Sequence, residues 1–104
     1  MGISVRVVEY TGQIVTEGGD IGAVIRATSS DAAQYPLLAG VDEYDDTTFN
    51  SRQAAMLIAE LEQLTAVTDD RNLHEAIAQL ITLAKLLVPA PRRPHHRRLV
   101  FNGD

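Results

Sequence analysis

Apolar and polar residues alternate at the start of the chain. Residues 3–10 read ISVRVVEY, in which Ile3, Val5 and Val7 fall on one side of an extended backbone. A repeat of two residues is typical of a β-strand that buries one face in a core and turns the other face to water. The sequence therefore predicts a first strand here.

The following segments predict a hairpin, a further strand and a loop. After a TGQ turn, the run QIVTE at 13–17 indicates a short second strand. The run IGAVIRAT at 21–28 is rich in β-branched residues, so it favours a third strand, although Gly22 and the alanines weaken this interpretation. Residues 29–40 are loop-like. The SSD triplet that begins them can cap one helical turn, which we expect Pro36 to end.

The pattern changes to helical spacing after Asn50. This residue is a favoured N-cap, and Gln53 stands at the capping-box position three residues later. Phe49, directly before the cap, is placed to pack against Ala54. The predicted helix carries one apolar stripe, formed by Ala54, Leu57, Ile58, Leu61 and Leu64. Most of the polar residues between them, with Glu60 included, are expected on the opposite side.

A second helix is predicted after a short polar connection. Thr68, Asp69 or Asp70 can cap it, and Pro89 and Pro91 would stop it. Its apolar stripe consists of Leu73, Ile77, Leu80, Ala84 and Leu87. Two helices joined by so few residues are expected to pack as antiparallel neighbours.

The chain returns to strand-like sequence at its end. Residues 89–98 form a basic, proline-rich linker, and Leu99 to Phe101 offer a short strand that can rejoin the sheet. We therefore predict a single domain over residues 1–104 of the α+β class. It would have a small, mostly antiparallel sheet with an antiparallel helical hairpin packed on one face.

Composition and charge narrow the function classes. The chain has no cysteine, which excludes disulfides and thiolate chemistry and is typical of cytoplasmic proteins. No signal peptide or membrane-spanning segment is expected. Residues 1–84 hold thirteen acidic and four basic residues, a formal charge of −9, whereas residues 85–104 carry +4. An acidic body argues against nucleic-acid binding and favours a basic protein partner.

The most distinctive stretch is the acidic segment, residues 42–46, which has the sequence DEYDD. It does not match an EF-hand loop, because Tyr44 stands where a third-position ligand is needed and Gln53 where the terminal glutamate is needed. A looser divalent-metal site formed by Asp42, Asp45 and Asp46 is an alternative. A catalytic carboxylate pair lacks a pocket or a partner histidine in the sequence.

Two further interpretations of the acidic segment stand beside the divalent-metal site. It can be a solvated turn before a helix N-terminus, where negative charge is favourable. Alternatively, it can be a docking surface, with the acids steering a basic partner while Tyr44 and Phe49 supply apolar contact. On the second interpretation, the expected partner-binding residues are Asp42, Glu43, Tyr44, Asp45, Asp46, Thr47 and Phe49.

These residues also carry a resemblance that covers the last two-thirds of the chain. VDEYDDTTFNSRQ, then LIAELEQL, then RRLVFNGD together resemble a group of small, largely uncharacterised bacterial proteins. That group shares an Asp-x-Tyr-x-Asp-Thr-x-Phe-Asn-x-x-Gln segment, a Glu-Leu helix and a Phe-x-Gly-Asp terminus. The matching residues here are Asp42, Tyr44, Asp46, Thr47, Phe49, Asn50, Gln53, Glu60, Leu61, Phe101, Gly103 and Asp104.

Small size and acidic character are also similar to those of immunity proteins, which neutralise a toxin by covering its active site. The expectation is therefore a non-enzymatic binding protein of the bacterial cytoplasm that acts as an immunity or antitoxin-like inhibitor, with no cofactor, bound metal or catalytic residue. The alternatives are a small-ligand or divalent-metal binding protein and a homo-oligomeric module that pairs through the helical hairpin.

Overall fold

The computed structural model describes residues 3–9, 11–88 and 97–103. These residues form four strands and four helices. In chain order they are β1 (Ser4–Val8), β2 (Ile14–Gly18), α1 (Gly22–Thr28), α2 (Pro36–Ala39), β3 (Thr47–Phe49), α3 (Ser51–Val67), α4 (Arg71–Lys85) and β4 (Arg98–Asn102). The prediction of an α+β fold with a small antiparallel sheet is confirmed.

The last strand lies in the middle of the sheet. The strand order is β2-β1-β4-β3, and every neighbouring pair is antiparallel. Ser4 of β1 lies opposite Asn102 of β4, and Thr47 of β3 lies opposite Phe101 of β4. The return of the chain end to the sheet, predicted from Leu99 to Phe101, therefore joins the first hairpin to β3.

The predicted hairpin of β1 and β2 is also confirmed. Its turn is closed by the backbone N–H of Glu9, which donates to the carbonyl of Gln13 at 2.9 Å. The register shifts between Val7 and Val8, because Val7 lies opposite Thr16 whereas Val8 lies opposite Ile14. β2 therefore contains a bulge, which bends its free edge.

The prediction of a third strand at residues 21–28 is wrong, because these residues form α1. The side chains that this segment buries follow helical spacing, with Ile21, Val24, Ile25 and Thr28 each fully covered. The prediction was wrong because it relied on the preference of β-branched residues for strands. Burial in the core depends more on the spacing of the apolar residues than on this preference.

Pro36 begins a helix, whereas the sequence predicted that it would end one. It occupies the first turn of α2, where a proline loses no hydrogen bond and already has a helical φ. The preceding turn is held by Asp31, whose Oδ1 accepts from the Gln34 backbone N–H at 3.3 Å.

The two long helices match the sequence prediction closely. Asn50 and Gln53 form a complete capping box at the start of α3, and Asp70 caps α4 by accepting from two backbone N–H groups. Each helix buries all but one residue of its predicted stripe in the core, and the exceptions, Ile58 and Leu73, are partly buried. The residues of these stripes with at most 5% exposure are Ala54, Leu57, Leu61, Leu64, Ile77, Leu80, Ala84 and Leu87.

Helical spacing also predicted Glu60 on the solvent side, and the structure corrects this. Glu60 is 7% exposed and accepts hydrogen bonds from the backbone N–H groups of Leu37 and Leu38 at 3.1–3.2 Å. These are N–H groups at the start of α2, which have no partner within that helix. A buried carboxylate on α3 therefore holds α2 against the core.

A third strand does exist, although the sequence did not predict it as one. β3 has only three residues, and its neighbour in the sheet is β4. The predicted basic linker falls mainly on residues 89–96, which lie outside the described residues.

Asp20 ties the first strand to α1. Its Oδ1 accepts from the backbone N–H groups of Ile3 at 3.0 Å and of Gly22 at 2.8 Å. The hydrogen bond from Gly22, followed by that from Ile3, lowers the pKa of the Asp20 carboxyl below its ordinary value of 3.8. The charged form is therefore the one that the fold stabilises.

We expect Glu60→Ala to lower the free energy of unfolding by about 1–3 kcal/mol, because it leaves buried N–H donors of α2 without an acceptor. Glu60→Gln should cost less, since its amide oxygen still accepts. Urea unfolding of both variants measures this, with the exposed Glu62→Ala as the matched control on the same helix. Equal stability of the Glu60→Ala and Glu62→Ala variants would contradict this role.

Asp20→Asn should make the protein less stable at neutral pH and less sensitive to acid. Because the folded pKa of Asp20 is lowered, its contribution is present above 3.8 and is lost as pH falls through the folded value. Urea midpoints measured from pH 7 down to about pH 3 should therefore converge for wild type and variant. The exposed Asp69→Asn serves as control, and parallel curves for wild type and Asp20→Asn would refute the assignment.

Candidate functional site

The acidic segment is a turn between α2 and β3 that its own aspartates fold. The Asp42 carboxylate accepts from the backbone N–H of Tyr44 at 2.8 Å, and the Asp45 carboxylate accepts from that of Asp46 at 2.8 Å. The hydroxyl of Thr47 accepts from the backbone N–H of Asp42 at 3.0 Å, which closes the base of the turn. Aspartate and threonine favour such local bonds to the backbone.

The end of β4 supports this turn from outside. Asn102 donates from its side-chain amide to the Asp46 carboxylate at 3.1 Å. Gly103 lies very close to the backbone of the turn. A Cβ at this position would be 2.5 Å from the Asp45 carbonyl oxygen and 2.8 Å from the Asp42 carbonyl oxygen. Only glycine permits this approach, because both neighbours are backbone atoms that no side-chain rotation can move.

The residues of the acidic segment are all accessible to solvent. Each of the five residues is exposed, and Tyr44 is 78% exposed, the highest value among the exposed large apolar residues of the described chain. Neither Glu43 nor Tyr44 makes a side-chain hydrogen bond to another of the described residues. These two side chains are therefore presented by the turn without being needed to form it.

Two of the predicted contact residues have structural positions. Phe49 is 5% exposed and packs edge-on against Phe101, with ring centroids 5.5 Å apart. It therefore belongs to the core and cannot provide the apolar contact surface that the sequence suggested. Thr47 is half-buried at the base of the turn, so the exposed candidate site reduces to the acidic segment itself.

A small cavity opens beside the turn. It has a volume of about 170 Å³ and is lined by Ile3, Arg26, Glu43 and Tyr44. One positive and one negative side chain thus flank the tyrosine ring. The cavity can accept one side chain of a partner, and it is too small for a drug-sized ligand, which needs about 300 Å³ or more.

The geometry gives no support to metal binding. Among residues 3–9, 11–88 and 97–103, no group of three or more histidine, aspartate or glutamate side chains is arranged to hold an ion. The carboxylates of Asp42, Asp45 and Asp46 are instead directed to backbone N–H groups or to Asn102. No histidine lies among the described residues that line the cavity beside Tyr44.

The other alternative was that two copies pair through the apolar face of the helical hairpin. Most of that face is buried within the chain itself. The apolar stripes of α3 and α4 form the core with the sheet, and Met56 and Val67 are the large apolar side chains of α3 that stay exposed in the described structure. Their exposed fractions are 56% and 71%.

Sequence reasoning found the acidic segment but missed Asn102 as its support. The terminal Phe-x-Gly pattern was visible, yet the contact depends on β4 lying beside β3, which only the sheet order shows. Gly103 could have been suspected, because a glycine after a strand often marks a close backbone approach.

Within the described part of the chain, no helix combines the length and the apolar character that a membrane crossing requires. No protein-family model matches the chain, and neither the curated proteins nor the solved structures compared with it contain a significant match.

Proposed function

We propose that the chain is a non-enzymatic binding protein that uses the acidic segment to bind a basic protein, as an immunity or antitoxin-like inhibitor does. The observation that carries this proposal is the exposure of Tyr44 in the middle of four exposed carboxylates. Tyrosine is enriched among the residues that contribute most to protein–protein affinity. An exposed tyrosine ring within a run of four carboxylates is suited to a basic partner.

The rigidity of the turn supports the same conclusion. Binding costs conformational freedom, and a surface that is already ordered loses less of it. The three hydrogen bonds within and below the turn, together with the contact of Gly103, fix its backbone before a partner arrives. The side chains of Glu43 and Tyr44 then extend from a fixed platform.

The charge of the chain supports a basic partner. The acidic segment supplies four of the thirteen acidic residues among residues 1–84, which together carry a formal charge of −9. Complementary charge speeds association, and salt weakens this effect because it screens exposed charges beyond about 10 Å at 0.1 M. A toxin with a basic active-site surface, encoded by the neighbouring reading frame, is the partner we expect.

We expect the double variant Glu43→Lys, Tyr44→Ala to lose the partner. Loss of a central tyrosine contact weakens binding by about 2 kcal/mol or more, roughly thirtyfold, and charge reversal adds to that. The measurement is calorimetry with the purified product of the neighbouring reading frame, at low and at high salt.

The matched control is Glu62→Lys, which makes the same charge change on an exposed position of α3. It should bind like wild type after correction for net charge. If the double variant binds as tightly as wild type, or if the neighbouring product shows no binding to wild type, the proposed function is wrong.

Gly103→Ala should weaken the same interaction without removing any exposed side chain. The added Cβ clashes with backbone atoms of Asp42 and Asp45, so the turn must move away from β4. We expect faster hydrogen exchange at the amides of Tyr44 and Asp46, a lower melting temperature and weaker partner binding. Gly40→Ala is the control, because a Cβ there meets its nearest atoms at an ordinary 3.5 Å. Unchanged exchange at both amides would contradict the role of Gly103.

A further inference from the structure

β2 is an edge strand of the sheet with an accessible free side. Its neighbour in the sheet is β1, and three of its five residues are exposed. Ile14 is 47% exposed and Val15 is 37% exposed, on a segment without lysine or proline. The bulge leaves Val15 without a partner in β1 and interrupts the row of backbone groups there. In the regular part of the strand, alternate residues direct their backbone N–H and C=O groups away from the sheet, and this part is a template for a further strand.

A depression beside the end of β2 continues this edge. It has a volume of about 390 Å³ and is lined by Asp20 together with Asn72, Glu75, Ala76 and Gln79 of α4. The side-chain Cδ of Gln79 lies 3.5 Å from the place that a Cβ of Gly18 would take. The strand edge and the depression therefore meet at Gly18, where β2 ends.

Carboxylates flank this end of the edge on both faces of the sheet. Glu17 lies opposite Arg6 of β1. Both side chains are on the face of the sheet opposite to the one on which Val5 and Val7 are buried. Asp20 and Glu75 line the depression on the helix side, without a cationic side chain among its described lining residues. The beginning of β2 thus carries exposed apolar side chains, and carboxylates lie around its end.

From this arrangement we infer that the β2 edge binds an extended segment of a partner protein by strand addition. The segment carries apolar residues beside Ile14 and Val15, and lysine or arginine residues beside Glu17 and Glu75. Backbone hydrogen bonds to the free edge supply a general affinity, and the carboxylates select basic side chains. This inference does not rest on the proposed function, because β2 and β3 lie at opposite edges of the sheet.

A second copy of this chain is a poorer occupant for the same edge. If two β2 strands paired antiparallel about Thr16, the exposed Val15 of one copy would face Glu17 of the other. Cross-strand pairs stabilise a sheet when the two side chains are both apolar or oppositely charged, and this pair is neither. Charge complementarity therefore favours a basic segment.

The test uses two short probe peptides, Val-Thr-Val-Thr-Arg-Lys-Arg and its reversed sequence, both acetylated and amidated, with the full chain. Two directions are needed because strand addition can be parallel or antiparallel. Calorimetry measures affinity, and amide NMR locates the site. We expect at least one peptide to bind, with shifts and slowed amide exchange at residues 14–18.

The controls separate strand addition from attraction between charges. A probe methylated on alternate backbone nitrogens keeps its charge but loses one row of donors, so it should not bind. The double variant Glu17→Lys, Glu75→Lys should bind the unmodified probe about tenfold more weakly. Glu62→Lys, Asp69→Lys makes the same charge change at two other exposed positions and should bind like wild type after correction for net charge.

Several results would overturn the inference. These are no binding of either peptide, equal binding of the methylated probe, shifts confined to residues 42–47, or a dimer by light scattering that the probe does not dissociate. Shifts at 42–47 would support the acidic segment as a peptide site instead. Failure of the β2 test leaves binding of the neighbouring gene product unaffected, so the two proposals can fail separately.

Discussion

The pairing of β4 with both β1 and β3 is the constraint on which the rest of the structure depends. β1 and β2 form a local hairpin, and β3 is too short to be stable alone, so only β4 makes them one sheet. This pairing brings Ser4 opposite Asn102, almost the full length of the chain apart. Closing so large a loop lowers the conformational entropy of the chain before the contacts between the strands form. Folding of the sheet therefore depends on the core that the helices supply.

The acidic segment takes its shape from the same strand. Asn102 is the last paired residue of β4 and contacts the turn at Asp46. Gly103 follows it and lies against the backbone of Asp42 and Asp45. A surface that looks like an isolated charged loop in the sequence is therefore fixed by the centre of the sheet. Any change that loosens the end of β4 should also loosen the turn, which is why the candidate site cannot be treated as independent of the fold.

The sequence predicted elements whose signals are local. The capping box of Asn50 and Gln53, the apolar stripes of the long helices and the alternation in β1 each depend on neighbours within a few residues, and all are found. The errors arose where tertiary contacts decide. Glu60 is polar by type but buried because α2 needs an acceptor, and residues 21–28 are β-branched but helical because the core accepts that spacing.

The structure also changes what the motif of the acidic segment means. Asp42, Asp46 and Thr47 are used to form or hold the turn, and Phe49 is used in the core. The structural roles of these four residues account for them without a ligand. Tyr44 has no such cause, because its side chain is largely exposed and makes no hydrogen bond to the residues that the structure describes. A partner that covers this ring gains the free energy of removing its apolar surface from water, and a fixed turn lets the ring be covered with little loss of conformational freedom.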